Sequence, residues 1–278
     1  MAHKRDPDLE IFASQVNRPE AQIDLARAAL TMGRFAYTKL DVEAYIHRID
    51  RLAEAAQRAL KHTEPDGVML ARFLFDTLGF SGNTQHYEDP RNSFLNEVLE
   101  RRLGIPISLS VLYLEVARRA GVRAEGVGLP GHFIVRVQLE DGAVIYLDPF
   151  HRGVVLTEED CRARVEAITG GRLPFQKAFL NPVGARYILT RMLNNLKNHY
   201  ASAGDLENAA RVIERLLVLN PDDPIETRNL GLVYGQLGRA RQAVEWLERY
   251  LALRPGAPDA AVIKQHLEAL ARQASQWN

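Results

Sequence analysis

Apolar residues recur at helical spacing over most of the chain and switch to strict alternation in one stretch. Over 18–35, Pro19 stands at a first-turn position, and Ile23, Leu25, Ala29 and Leu30 follow at helical spacing. Asp41 is a candidate cap for a helix over 41–62 that carries Tyr45, Ile46, Ile49, Leu52, Ala55 and Leu60 on its apolar face. Residues 66–80 predict a shorter apolar helix ending near Gly79, and the turn formers of 81–92 predict a loop. A helix over 92–104 follows, with Asn92 as its cap and Gly104 as its stop. The next helix covers 105–121, with Pro106 just inside its start, Leu109, Leu112, Val116 and Ala117 along it, and Gly121 at its end. Then the period changes. Residues 122–129, 132–140 and 143–149 are short and rich in β-branched types, and Phe133, Val135, Val137 and Leu139 alternate with Arg136 and Gln138. With Asp141-Gly142 as a hairpin turn, the residue opposite His132 falls at 149–151. His132 and Asp148 then become neighbours at the open end of the hairpin. Thr157 caps one more helix.

The remainder is helical and repeats itself. A shift of 34 residues superimposes Asn195 on Asn229, Leu196 on Leu230, Tyr200 on Tyr234 and Gly204 on Gly238. It also superimposes Ala209 on Ala243, Ile213 on Leu247, Leu217 on Leu251 and Pro221 on Pro255. This pattern resembles the tetratricopeptide repeat, in which each helical pair buries its apolar face only by stacking on the next. Residues 258–275 would cap the stack, and Tyr200 and Tyr234 read as repeat core.

Composition narrows the function classes. The 278 residues are 46% hydrophobic and 25% charged, with 35 basic and 35 acidic side chains and a formal net charge of zero. A neutral chain offers no global attraction to nucleic acid or to an acidic membrane, so neither is expected as a partner. No run of about 18 apolar residues predicts a membrane span, and the start of the chain has no signal-peptide core. The expected location is the cytoplasm. Cys161 is the single cysteine, which rules out an internal disulfide and fits a reducing compartment. There is no Gly-rich phosphate loop, and His86, His151 and His199 show no metal-ligand spacing, so neither metal nor cofactor is expected.

The segments "NSFLNEVLERRLGIPISLSVLYLEVARRAGV", "GLPGHFIVRV" and "LDPFHRG", in that order, resemble the SirB-one-type family of bacteria. That family carries a transglutaminase-like domain, often followed by tetratricopeptide repeats. The resemblance covers about residues 40–275. It implies a cysteine nucleophile at a helix N-terminus, a histidine base on a strand and an aspartate that orients the histidine. His132 takes the histidine place and Asp148 the aspartate place. The cysteine place falls at 106–108, where no cysteine stands. Ser108 is the nearest hydroxyl and Ser110 the next. Ser108 is either a nucleophile or a side chain that satisfies first-turn backbone groups. Asn92, Asn96 and Glu97 precede the site and are candidates to line it. Gly131, beside His132, serves either the direction of the chain or the close approach of a ligand.

The expected fold is α+β and mostly helical: a transglutaminase-like, papain-like core with a small antiparallel sheet, then a helical repeat segment. The expected domains are 1–182, with the core at about 85–170, and 183–278. Three functions follow. One is a transglutaminase-like protein without the nucleophile, with a peptide- or ligand-binding groove near His132 and Asp148 and a repeat surface for a protein partner. A second is a hydrolase or acyl transferase using Ser108, His132 and Asp148. The third is a scaffold in which the histidine–aspartate pair is structural. The resemblance implies a regulatory role.

Overall fold

The computed structural model describes residues 6–60 and 64–275. The end of the helix expected over 41–62 therefore lies outside the described residues. The chain divides into two compact units, one of residues 18–192 and one that joins residues 6–17 to 193–275. The first helix, α1 (Pro7–Val16), belongs to the second unit.

In the unit of 18–192, helices α2 (Leu25–Met32), α3 (Val42–Ala59), α4 (Asp66–Arg72) and α5 (Leu95–Arg101) surround α6 (Pro106–Ala120). Every residue of 106–117 is buried, which fits a helix apolar on all sides. The amphipathic α3 lays Ile46, Ile49, Ala53 and Ala56 inward and packs on α6. Tyr113 of α6 donates to Gly67 O at 2.8 Å, which fixes α4 against it.

Beside α6 lies a five-stranded antiparallel sheet. Its strands are β3 (Ala124–Val127), β4 (Ile134–Gln138), β5 (Val144–Asp148), β6 (Val154–Leu156) and β7 (Pro182–Val183), and their order is β6-β5-β4-β3-β7. In the β4–β5 hairpin Val135 faces Leu147, and the register extended outward sets His132 opposite Phe150. The turn is the expected one: Asp141 accepts from Ala143 N, and Gly142 takes φ +85°. Helix α7 (Glu158–Thr169) starts at Thr157, whose hydroxyl accepts from Asp160 N. Two minimal strands, β1 (Ser81–Gly82) and β2 (Leu103–Gly104), pair in parallel in front of α6.

Three expected boundaries move. The helix over 18–35 is broken: a 3-10 turn covers Glu20–Gln22, and Asp24 then caps α2 by accepting from Arg27 N at 3.0 Å. Asn92 is not a helix cap; it sits in a 3-10 turn, Pro90–Ser93, and α5 opens after Phe94. Gly104 is not the stop of α5. Arg102 ends that helix in the left-handed region, and Gly104 pairs with Gly82.

In the other unit, α9 (Leu206–Leu219), α10 (Pro224–Gln236), α11 (Ala240–Leu253) and α12 (Ala260–Ser275) follow the last residues of α8 (Ala185–Ser202) as stacked pairs. Gly204 and Gly238, 34 apart, both take positive φ in the turns between paired helices. Leu230, Tyr234 and Ala243 are core there, packed with Ala210, Ile213 and Leu217 of α9. Helix α1 packs on α9 and buries Phe12 and Val16.

Candidate functional site

The site lies at the open end of the β4–β5 hairpin. His132 is 7% exposed and Asp148 is fully buried, and His132 Nε2 lies 2.8 Å from Asp148 Oδ2. An ionised carboxylate only accepts, so Nε2 carries the proton and Nδ1 keeps its lone pair. Nδ1 has no hydrogen-bond partner among the described residues, which leaves it for a ligand.

Asp148 has more partners than its place in the motif predicts. Its Oδ1 accepts from the backbone of Phe150 and His151, at 3.1 and 3.3 Å, and starts the 3-10 turn Pro149–His151. That turn returns His151 Nδ1 to within 2.8 Å of the same Oδ2 that His132 uses. Arg164 Nη1, from α7, stands 3.3 Å from that oxygen. Burial alone would raise the Asp148 pKa. The hydrogen bonds from His132 and His151 outweigh it and hold the carboxyl at about 2.

An aromatic wall stands beside the pair. Phe150 meets His132 edge-on at 6.4 Å and Tyr87 at 5.8 Å between centroids. Gly82 makes this possible, since a Cβ there would stand 2.5 Å from Phe150 Cδ2 and 2.7 Å from Phe150 O. Tyr87 is 45% exposed, so the wall opens to solvent.

The structure spreads the remaining expected residues around this centre. Ser108 is buried, and its hydroxyl donates to Asn92 O at 2.6 Å while accepting from Ile105 N at 3.1 Å. Its bonds close the start of α6, and no hydrogen bond joins it to His132 among the described residues. Gly104 lets it sit there, since a Cβ at that position would stand 2.8 Å from Ser108 Oγ. Ser110 donates back to Pro106 O at 2.8 Å. Asn92 works as a loop anchor: Nδ2 donates to His86 O and Tyr87 O, and Oδ1 accepts from Asn83. It thereby sets Tyr87 against Phe150. Asn96 is buried, with its Oδ1 turned toward Gly33, and Glu97 is half-buried in the first turn of α5. Neither bonds to His132 or Asp148 among the described residues. Gly131 takes φ +72°, and a Cβ there would stand 2.3 Å from Ile168 Cγ2, so the direction of the chain and its packing account for it. Cys161 is fully buried with Val127, Leu129, Ile134 and Val165, and burial pushes its thiol up to about 11.

His151 is the residue that reasoning from histidine spacing passes over. The signal was present as Asp148-x-x-His151, a carboxylate and an imidazole three apart across a turn after a strand. His132, Asp148 and His151 bring one ligand-type atom each within 4.8 Å of one another, a set able to hold a metal ion.

A sequence profile of the transglutaminase-like superfamily matches residues 43–194, and one of the tetratricopeptide repeat matches 196–268. A UPF0162 protein of Xylella fastidiosa (strain 9a5c) is 39% identical over 274 residues, covering 96% of this chain and 97% of that protein. A UPF0162 protein of Vibrio cholerae is 28% identical over 251 residues, covering 89% and 93%. F-box only protein 21 of Mus musculus is 40% identical over 130 residues, covering 44% of this chain and 20% of its own length. No solved structure gives a significant match.

Proposed function

The chain belongs to the transglutaminase-like superfamily and, within it, to the UPF0162 proteins of the SirB type, and from that premise we propose that it works by binding, not by covalent catalysis. The observation that carries this reading is the pairing of an intact His132–Asp148 couple with a nucleophile place filled by a capping serine. The proton of Ser108 is directed to Asn92 O and not to His132, and an alkoxide is hard to form without a base. His132 Nδ1 and the Tyr87–Phe150 wall together make a place for a peptide whose N–H meets the imidazole lone pair.

The repeats supply the second surface. A groove of about 840 Å³ in their unit is lined by Glu10, Glu207, Glu214 and Glu245, with Tyr234 and Trp246. Arg211 and Arg239 also line it and Arg239 pairs with Glu207, but with Asp6 the carboxylates outnumber them, which favours a protein segment that carries a basic side chain. We place this activity in the bacterial cytoplasm in a regulatory role. The single cysteine and the bacterial relatives support that placement. No helix among the described residues is long and apolar enough to cross a membrane.

The test compares the wild-type chain with three variants for capture of partners from a bacterial lysate and for labelling by an acyl-trapping serine probe. Glu245→Lys is expected to lose a partner that Ser108→Ala retains, and no variant is expected to change labelling. His132→Ala should alter peptide binding beside the aromatic wall. Labelling that disappears in Ser108→Ala would sink this reading and favour the hydrolase. A His132→Ala chain altered only in stability would favour a structural pair.

A further inference from the structure

We propose that His132, Asp148 and His151 form a binding site for a divalent transition-metal ion of the zinc class. The inference goes beyond the binding reading above, but it rests on the same pair being a ligand site and not a purely structural tie.

The three donors arrive from two directions. Asp148 and His151 form a local chelate, since the turn that starts at the aspartate carries the imidazole back to it. His132 comes from the turn just ahead of β4, where its N–H donates to Leu129 O at 3.1 Å. Its Nε2 and His151 Nδ1 each stand 2.8 Å from Asp148 Oδ2. Metal–ligand bonds of about 2.0–2.2 Å set tetrahedral ligand atoms roughly 3.3 Å apart. An opening of about half an ångström therefore brings each nitrogen to ligand spacing from Oδ2, and the three atoms already lie within 4.8 Å of one another. Two imidazoles and one carboxylate suit zinc, cobalt, nickel or iron and not magnesium or calcium, which take oxygen ligands. Three protein ligands leave at least one position open to water or to an oxygen of a bound ligand. His151, with its side chain 49% exposed, marks the way in.

The donor balance at Asp148 points the same way. Oδ2 has two lone pairs, yet three nitrogens crowd it: His132, His151 and Arg164. Arg164 is the loosest of them. Its Nη1 lies 3.3 Å from the oxygen and 3.4 Å from His151 Nδ1, a nitrogen that already donates and has no lone pair to offer. Its Nε is buried without a hydrogen-bond partner among the described residues. The guanidinium thus stands where positive charge is wanted but is poorly held. An ion bound by both imidazoles supplies that charge and lets Arg164, 26% exposed, turn toward solvent. Both histidines then carry their proton on the other ring nitrogen, so with the ion bound His132 Nδ1 offers a donor in place of its lone pair.

The experiment uses the full chain, stripped with a chelator, and titrates it with cobalt(II) alone, followed by zinc(II) in competition. The expected result is a visible d–d band that saturates at one equivalent and is displaced by zinc. Outer partners of a metal site alone change affinity by 10–100-fold, so loss of a direct ligand in His151→Ala should weaken binding by roughly 100-fold or more. Arg164→Met should tighten it, because it removes the competing positive charge. His47→Ala, at an exposed histidine of α3, should leave it unchanged. No band in the wild type, or a full band in His151→Ala, overturns the site. If the band is absent while His132-dependent peptide binding persists, the metal alone fails and the binding reading stands.

Discussion

At the scale of single residues, Asp148 organises the site. It is fully buried, yet it stays ionised because two imidazoles and two backbone N–H groups converge on it. Its carboxyl is held near 2 in the fold against an ordinary value of 3.8. The difference corresponds to about 2 kcal/mol of stability at neutral pH. Because the folded value is the lower one, that stability is complete above the ordinary value and disappears as pH falls toward 2. Asp148→Asn should therefore lower the urea midpoint by an amount equivalent to about 2–4 kcal/mol near neutral pH. The gap from wild type should narrow as pH falls through 3.8 toward 2. A gap of constant size across that range would show that packing, and not charge, sets the cost. His132 and Asp148 were legible in the sequence, because alternation and the Asp141-Gly142 turn fix the register. His151 was not, because its partner is a carboxylate three residues away and not another histidine. Asn92 was misassigned because its amide serves a loop folded back on it, a contact without a local period.

At the scale of elements, the first turn of α6 holds Ser108, the hydroxyl nearest the place where the resemblance puts a nucleophile. Ser108 Oγ accepts from Ile105 N just ahead of the helix and donates to Asn92 O. Ser108→Ala should cost about 1–2 kcal/mol, as lost caps do. For a chain of this size that lowers Tm by roughly 2–8 °C. Ser110→Ala, which removes only a bond back to Pro106 O, should change Tm little. Equal losses in calorimetry would argue against the capping account. Long periodic elements such as α3, α6 and the β4–β5 hairpin could be read in advance. The two-residue strands β1, β2 and β7 and the three-residue β6 could not, since nothing that short shows a period. The break between Gln22 and α2 escaped for a related reason: Asp24 caps a helix whose apolar spacing continues across the break.

At the scale of the whole molecule, the repeat unit draws on a distant part of the sequence. Helix α1 covers α9 with Phe12 and Val16, and its cap Asp6 faces Arg215, an arginine with no exposed surface. Burial lowers the pKa of Arg215, and Asp6 and Glu214 oppose that shift. Deleting residues 1–17 should leave this charge undercompensated and expose the α9 face. Hydrogen exchange should then rise in α9 and α10 while α6 and the sheet keep their protection. Undiminished protection in α9 would show that α1 is dispensable. The separation of α1 from α9 by the whole 18–192 unit also has a consequence for synthesis on the ribosome. At about 5–20 residues per second, the surface that buries Phe12 is completed on the order of 10–40 seconds after α1 is made. Over that interval the intervening unit can fold alone, while the first helix waits with its apolar face exposed.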